Sequence, residues 1–143
     1  MSSDIFAIAG SALDAQNQRM AAIASNLANA DSIAAPGQAP YQAREVIFQP
    51  MLDSPFESPI DAQTADAGVQ VTGSVTSGAP AVQKYDPGNP LADANGYVTG
   101  SNVSQVNEMV DLIDSSNSYA ASVAVLQQAS RIDLQMISSF QVS

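Results

Sequence analysis

Apolar residues recur at helical spacing near both ends of this chain and at strand spacing between them. Phe6, Leu13, Met20 and Leu27 stand seven residues apart, with Ala9, Ile23 and Ala30 on the neighbouring line of the same helix face. That pattern predicts a helix opening at Ser2, Ser3 or Asp4 and running to about Ala30. The exit Asn26-Leu27-Ala28-Asn29-Ala30-Asp31-Ser32, followed by Pro36-Gly37, reads as its stop. Asn26 and Asn29 can bond to free backbone groups locally or across an interface. Near the other end Met109, Ile113, Ala120, Val123, Ala124, Leu134 and Ile137, with Val106 and Val110 beside them, fall into one arc of a second helix. Asn102 as N-cap and Gln105 three residues on resemble a capping box, so this helix is expected from near Asn102 to about Phe140.

Between the helices the period shortens. Tyr41 to Gln49 suits a strand ended by Pro50, and Val69, Val71 and Val75 alternate with polar residues as a half-buried strand. Ala81 to Tyr85 is expected as a weaker partner for that second strand. Met51 to Ala67, with Pro55, Pro59 and four acidic residues, reads as a loop. Asn95-Gly96 reads as a tight structural turn needing positive φ and leading into Tyr97-Val98.

Two long helices with one-sided apolar faces must cover them on each other or on other chains, because each large side chain left exposed forfeits about 1.5 to 3 kcal/mol. The expected fold is mainly α with a small β region. Its terminal helices pair as a coiled coil around a small central strand and loop module. The expected divisions are residues 1–32 for the N-terminal helix, 33–101 for the central module and 102–143 for the C-terminal helix. The candidate assembly residues are Phe6, Leu13, Met20, Ile23, Asn26, Leu27 and Asn29 on the first helix. On the second they are Val106, Met109, Val110, Ile113, Ala120, Val123, Ala124, Leu134 and Ile137.

Composition narrows the chemistry. The 143 residues include no Trp and only four Tyr and four Phe, so bulky core anchors are few and a lone chain is expected to be a marginal monomer. A net charge of −10 repels phosphate backbones and anionic headgroups, which disfavours nucleic acid and membrane surfaces as partners. No His and no Cys remove the commonest general base, metal ligand and thiolate. Asp93-Ala94-Asn95-Gly96 imitates the middle of an EF-hand loop, but Leu91 and Asn102 occupy the first and last ligand positions, so calcium is not expected. Glu108, Asp111 and Asp114 near the start of the second helix suit its macrodipole as a solvated face; the rival reading is a patch for a basic neighbour. No catalytic residue, cofactor site or metal site is expected. The start Met1-Ser2-Ser3-Asp4 lacks a positive segment and no apolar run approaches a membrane span, so export, if it occurs, is expected without a cleaved signal peptide and without membrane insertion.

Three stretches carry a resemblance. Ala24-Ser25-Asn26-Leu27-Ala28-Asn29-Ala30 resembles the ASN-x-AN signature of bacterial flagellar rod and hook proteins. The run from Tyr85-Asp86-Pro87-Gly88 to Ala94-Asn95-Gly96-Tyr97-Val98, with Asn102-Val103 and Glu108-Met109-Val110-Asp111-Leu112-Ile113 after it, is similar to the proximal-rod members of that family. Pro40-Tyr41 through Val46-Ile47-Phe48 resembles a PY-x4-VxF segment of the same proteins. Ser32 departs from a frequent Thr, and residues 34–39 and 51–67 match nothing in the family pattern. The resemblance implies an axial rod subunit of the flagellar basal body, exported unfolded through the flagellar type III apparatus and assembled in the periplasm. There the terminal helices would line the export channel and the subunit would transmit torque. The implied partners are further copies of itself, the rod proteins FlgB, FlgF and distal FlgG, the adaptor FliE and the export apparatus. A distal rod or hook protein is the nearest alternative, and an autonomous periplasmic binding domain a distant one.

Overall fold

The computed structural model describes residues 2–51 and 68–141. Most of the acidic Pro-rich segment expected as a loop lies outside these residues; its first residue, Met51, closes a strand instead. Helix α1 spans Ser2–Ala28 and helix α2 spans Gln105–Gln141, about 40 and 55 Å at the α-helical rise. Between them lie β1 (Ile33–Ala34), β2 (Arg44–Met51), β3 (Gly68–Thr76), β4 (Val82–Tyr85) and β5 (Tyr97–Gly100). Among the described residues the five strands form two small sheets beside the two long helices, so the fold is mixed α and β with the small β region expected.

Side chains close the end of α1. Asn29 donates through Nδ2 to the Ser25 carbonyl at 2.8 Å, and Ser32 Oγ donates to the Asn29 carbonyl at 2.7 Å, which occupies acceptors that a helix end leaves free. α2 begins three residues later than the capping-box reading has it. The Ser104 carbonyl accepts from Glu108 N at 3.0 Å as the first helical bond, and Gln105 Nε2 reaches Asp31 Oδ2 at 2.9 Å instead of folding back. Asn102 is not a cap. It accepts from Ala43 N at 2.7 Å and donates to the Ala79 carbonyl at 2.9 Å, stapling the approach to α2 onto both sides of the β2–β3 hairpin.

The two helices run antiparallel. Gln105, Glu108 and Asp111 meet Asp31, Asn26 and Arg19 in turn, so partners fall along α1 as numbers rise along α2. Since α2 is ten residues longer, 37 against 27, its last turns run past the start of α1.

β2 and β3 form an antiparallel pair whose register slips between Ile47 and Phe48, opposite Gly73 and Val71, leaving Thr72 as the extra residue. The slip turns the later part of β3 over, so Val75 is 45 % exposed while Val69 and Val71 stay half-buried. Pro50 does not end β2. It pairs with Val69, which a two-stranded sheet permits because each strand keeps a free edge. β4 does not pair with β3 as expected. The second sheet has the order β1-β5-β4, with β5 at its centre and Val98 on β5 almost fully enclosed.

The loop between β4 and β5 ends in the turn at Asp93-Ala94-Asn95-Gly96. Gly96 has φ +82°, the conformation read from the sequence, whereas Asn95 stays at negative φ. A Cβ on Gly96 would lie 2.9 Å from the Tyr85 ring and 3.1 Å from Pro87 Cβ, so bulk there is refused by both backbone and neighbours. Asp93 Oδ1 accepts from Asn95 N and Tyr97 N, each at 2.8 Å, and its own N and O bond to Tyr97 O and Gly96 N. The Asp93 carboxylate is thus spent on the turn as an Asx cap, and no described cluster of acids could hold a metal. Both substitutions should therefore lower the urea unfolding midpoint. Asp93→Ala should cost about 1 to 2 kcal/mol, and Gly96→Val about 2 to 4 kcal/mol from strain plus the ring clash. Added calcium should restore neither.

Candidate assembly surface and the polar joint behind it

The face of α2 turned toward the core recurs at alternating steps of four and three. Glu108, Leu112, Ser115, Tyr119, Ser122, Leu126, Ala129 and Asp133 are all buried or half-buried. Three of these eight, Ser115, Ser122 and Ala129, are small, and two of the buried α1 positions are Ala9 and Ala15. Small residues let the two backbones approach closely while contributing little apolar area. Among the described residues the buried hydrophobics are only Ala9, Ala15, Ile23 and Val98.

The apolar stripe read from the sequence lies on the other side of α2. Val106 is 71 % exposed, Ile113 59 % and Leu134 64 %, and Met109, Val110, Ala120, Ala124 and Ile137 are likewise exposed. Val123 alone of that set is half-buried, at the margin of the inner face. On α1 the stripe turns inward. Phe6, Leu13, Met20, Leu27 and Asn29 are half-buried, and Ile23 and Asn26 are buried. The two stripes therefore do not cover each other within one chain. α2 is held to α1 by Asn26 at Glu108 and by Arg19 at Asp111, and Ser115 on the same inner line is fully buried.

Asn26 is the hub of that fit. Its side chain is 2 % exposed and fully engaged. Nδ2 donates to the Arg44 carbonyl at 2.9 Å and to Glu108 Oε1 at 3.0 Å, while Oδ1 accepts from Arg44 N at 2.8 Å and Tyr41 Oη at 3.1 Å. One amide thus pairs with both polar groups of the first β2 residue, as a neighbouring strand would, and ties α1, β2 and α2 together. Ser25 Oγ shares a hydrogen bond with Tyr41 Oη at 3.1 Å. Ser101, buried, donates through Oγ to the Ala30 carbonyl at 2.6 Å, and its N donates to the Ser32 carbonyl. Of the two openings left for these residues, Asn29 takes the local one at the Ser25 carbonyl, whereas Asn26 bonds to other elements of the same chain.

The acidic run at the start of α2 is only partly solvated. Arg19 Nη2 pairs with Asp111 Oδ1 at 3.3 Å while the Asp111 side chain stays 48 % exposed, Glu108 points into the joint, and Asp114 is turned to solvent. Partial burial raises the Glu108 carboxyl above its ordinary 4.5, the Asn26 hydrogen bond opposes this, and the charges of Asp111 and Glu45 add to the rise. Sequence reading missed Tyr41, Arg44, Asn102 and Ser101 as members of the joint. The PY-x4-VxF and ASN-x-AN segments were visible, but nothing in either said that they meet.

Among the described residues no helix is long and apolar enough to cross a membrane.

Known proteins resemble this chain along most of its length. Residues 6–32, which hold α1 and its exit, match the family described as "Flagella basal body rod protein". Residues 94–139, the turn through most of α2, match "Flagellar basal body rod FlgEFG protein C-terminal". The chain is 46% identical over 136 residues to the flagellar basal-body rod protein FlgC of Salmonella typhimurium, covering 94% of each. It is 43% identical over 134 residues to FlgC of Yersinia enterocolitica, again covering 94% of each. To FlgC of Agrobacterium fabrum it is 37% identical over 133 residues, covering 89% of this chain and 90% of the other.

Proposed function

From the premise that this chain belongs to the FlgC family of flagellar basal-body rod proteins, we propose how it builds a rod. It is a structural subunit of the flagellar basal body, not an enzyme, and it assembles with other rod proteins. Within the rod, α1 and α2 act as an antiparallel coiled coil that forms the inner, axial layer, and the β sheets sit outside it. The observation that carries this reading is the outward face of α2. Val106, Met109, Val110, Ile113, Asn117, Ala120 and Ala124 present an exposed surface without a single charge on a chain of net charge −10. Such a contiguous exposed face marks an interaction site. Neighbouring rod subunits are the cover: further copies of this chain and the rod proteins FlgB, FlgF and distal FlgG, with the adaptor FliE at the base. Repeated head-to-tail contacts of this kind give an open tube, which carries torque along its wall and leaves the axis free for export. The chain reaches the periplasm through the flagellar type III apparatus, without a cleaved signal peptide and without entering the membrane.

Cryo-electron microscopy of isolated basal bodies with this chain tagged tests the reading. Density for the tag on the rod between the membrane ring and the distal segment is expected, with α2 turned toward a neighbour. Tag density on the hook, or none on the basal body, would overturn it.

A further inference from the structure

Glu108 sits where α1, α2 and the β2–β3 hairpin are joined by hydrogen bonds. Its Oε1 accepts the second amide hydrogen of Asn26, whose other three bonds hold Tyr41 and Arg44. A cleft of about 530 Å³ opens beside it, and that cleft is also lined by Arg19, Arg44, Glu45 and Asp111. Arg19, from α1, pairs with Asp111 at 3.3 Å. Arg44, from β2, is held at Asn26 through its backbone. Glu45, also from β2, and Asp111, from α2, are the like charges that face Glu108.

We propose that Glu108 is a proton-sensitive latch between the helix pair and the β2–β3 hairpin, closed when its carboxyl is protonated and eased when it is ionised. A protonated carboxyl still offers Oε1 to Asn26 Nδ2 and no longer repels Glu45. An ionised one keeps that bond but sits in a partly dry cleft against two carboxylates. Desolvation falls on the charged form, and the charges of Asp111 and Glu45 add to it, so ionisation weakens the contact between α2 and the hairpin that carries Glu45. The sign follows from the raised carboxyl: the joint is at full strength below the ordinary 4.5 and loses strength as pH climbs through the folded-state value. For a rod protein outside the cytoplasm, this ties the seating of the outer sheets to the acidity around the rod. That consequence rests on the function proposed above, whereas the latch itself does not.

Hydrogen exchange of the purified full chain, read over Arg44–Met51 and Gly68–Thr76 from about pH 4 to about pH 8, tests it. Wild type is compared with Glu108→Gln at each pH, which cancels the intrinsic pH dependence of exchange. Gln keeps the acceptor for Asn26 and lacks the charge. The two proteins should exchange alike in acid, and wild type should exchange several-fold faster near neutrality. Glu45→Gln should recover part of the difference. A ratio constant across the range would overturn the latch, as would faster exchange in Glu108→Gln at neutrality or a wild-type hairpin unprotected at every pH.

Discussion

Asn26→Ala should lower the unfolding free energy of the chain by about 3 to 5 kcal/mol, a large share of the 5 to 15 kcal/mol typical of a domain. The substitution removes little apolar area. Its cost is what it leaves behind: Arg44 loses partners for both N–H and C=O, Tyr41 loses its acceptor, and Glu108 loses its donor. An orphaned buried polar group costs about 1 to 3 kcal/mol, and these four are only partly able to reach water. Asn26→Asp should be nearly as severe despite its matching shape, because the second oxygen faces the Arg44 carbonyl and the Glu108 carboxylate without a hydrogen to give. Urea unfolding followed by circular dichroism is the measurement. A midpoint within error of wild type for both variants would mean that the joint does not hold the helices to the hairpin.

Ile113→Arg should leave the isolated chain intact and abolish swimming. The side chain is 59 % exposed, so the unfolding free energy should shift by no more than about 0.5 kcal/mol. In a rod the same position would be pressed against a neighbour, where an unpaired buried charge costs several kcal/mol at every repeat. Export should continue and unassembled protein should accumulate outside the cytoplasm. The pairing of a normal melt with lost motility separates an assembly face from a folding face, which a core substitution could not do. Normal swimming would show that the outward stripe is not a packing surface.

The contrast between these two sites explains what was legible in the sequence. Both helices, their approximate ends and the Gly96 turn could be read because periodicity, Asn-rich exits and Asn-Gly pairs are local signals. The inner face of α2 could not. It is written in Glu108, Ser115, Ser122 and Asp133 as much as in Leu112 and Leu126, and a search for apolar spacing passes over it to the larger side chains on the far side. The partner of β4 was missed for a related reason. β3 precedes it in sequence, but β4 and β5 flank the Asp86–Gly96 loop, whose bonds from Asp86 N to Gly96 O and from Asp93 N to Tyr97 O draw them together. Asn102 was read as a helix cap because its residue type and offset allow it, yet it is pledged to Ala43 and Ala79, 59 and 23 positions away. Contacts at that range leave no mark on the local pattern.

The antiparallel helix pair also decides when this protein can fold. Asn26 and Glu108 are 82 positions apart and Arg19 and Asp111 are 92, so the seam joins nearly opposite ends of the chain. Closing so long a loop must be paid in chain entropy before any seam contact returns it, which makes folding slow and late. A chain that emerges from its N-terminus has α1 free, with Asn26 unsatisfied, until almost all of the remainder has followed. For the export route proposed above, the topology itself delays the native state until the last helix arrives.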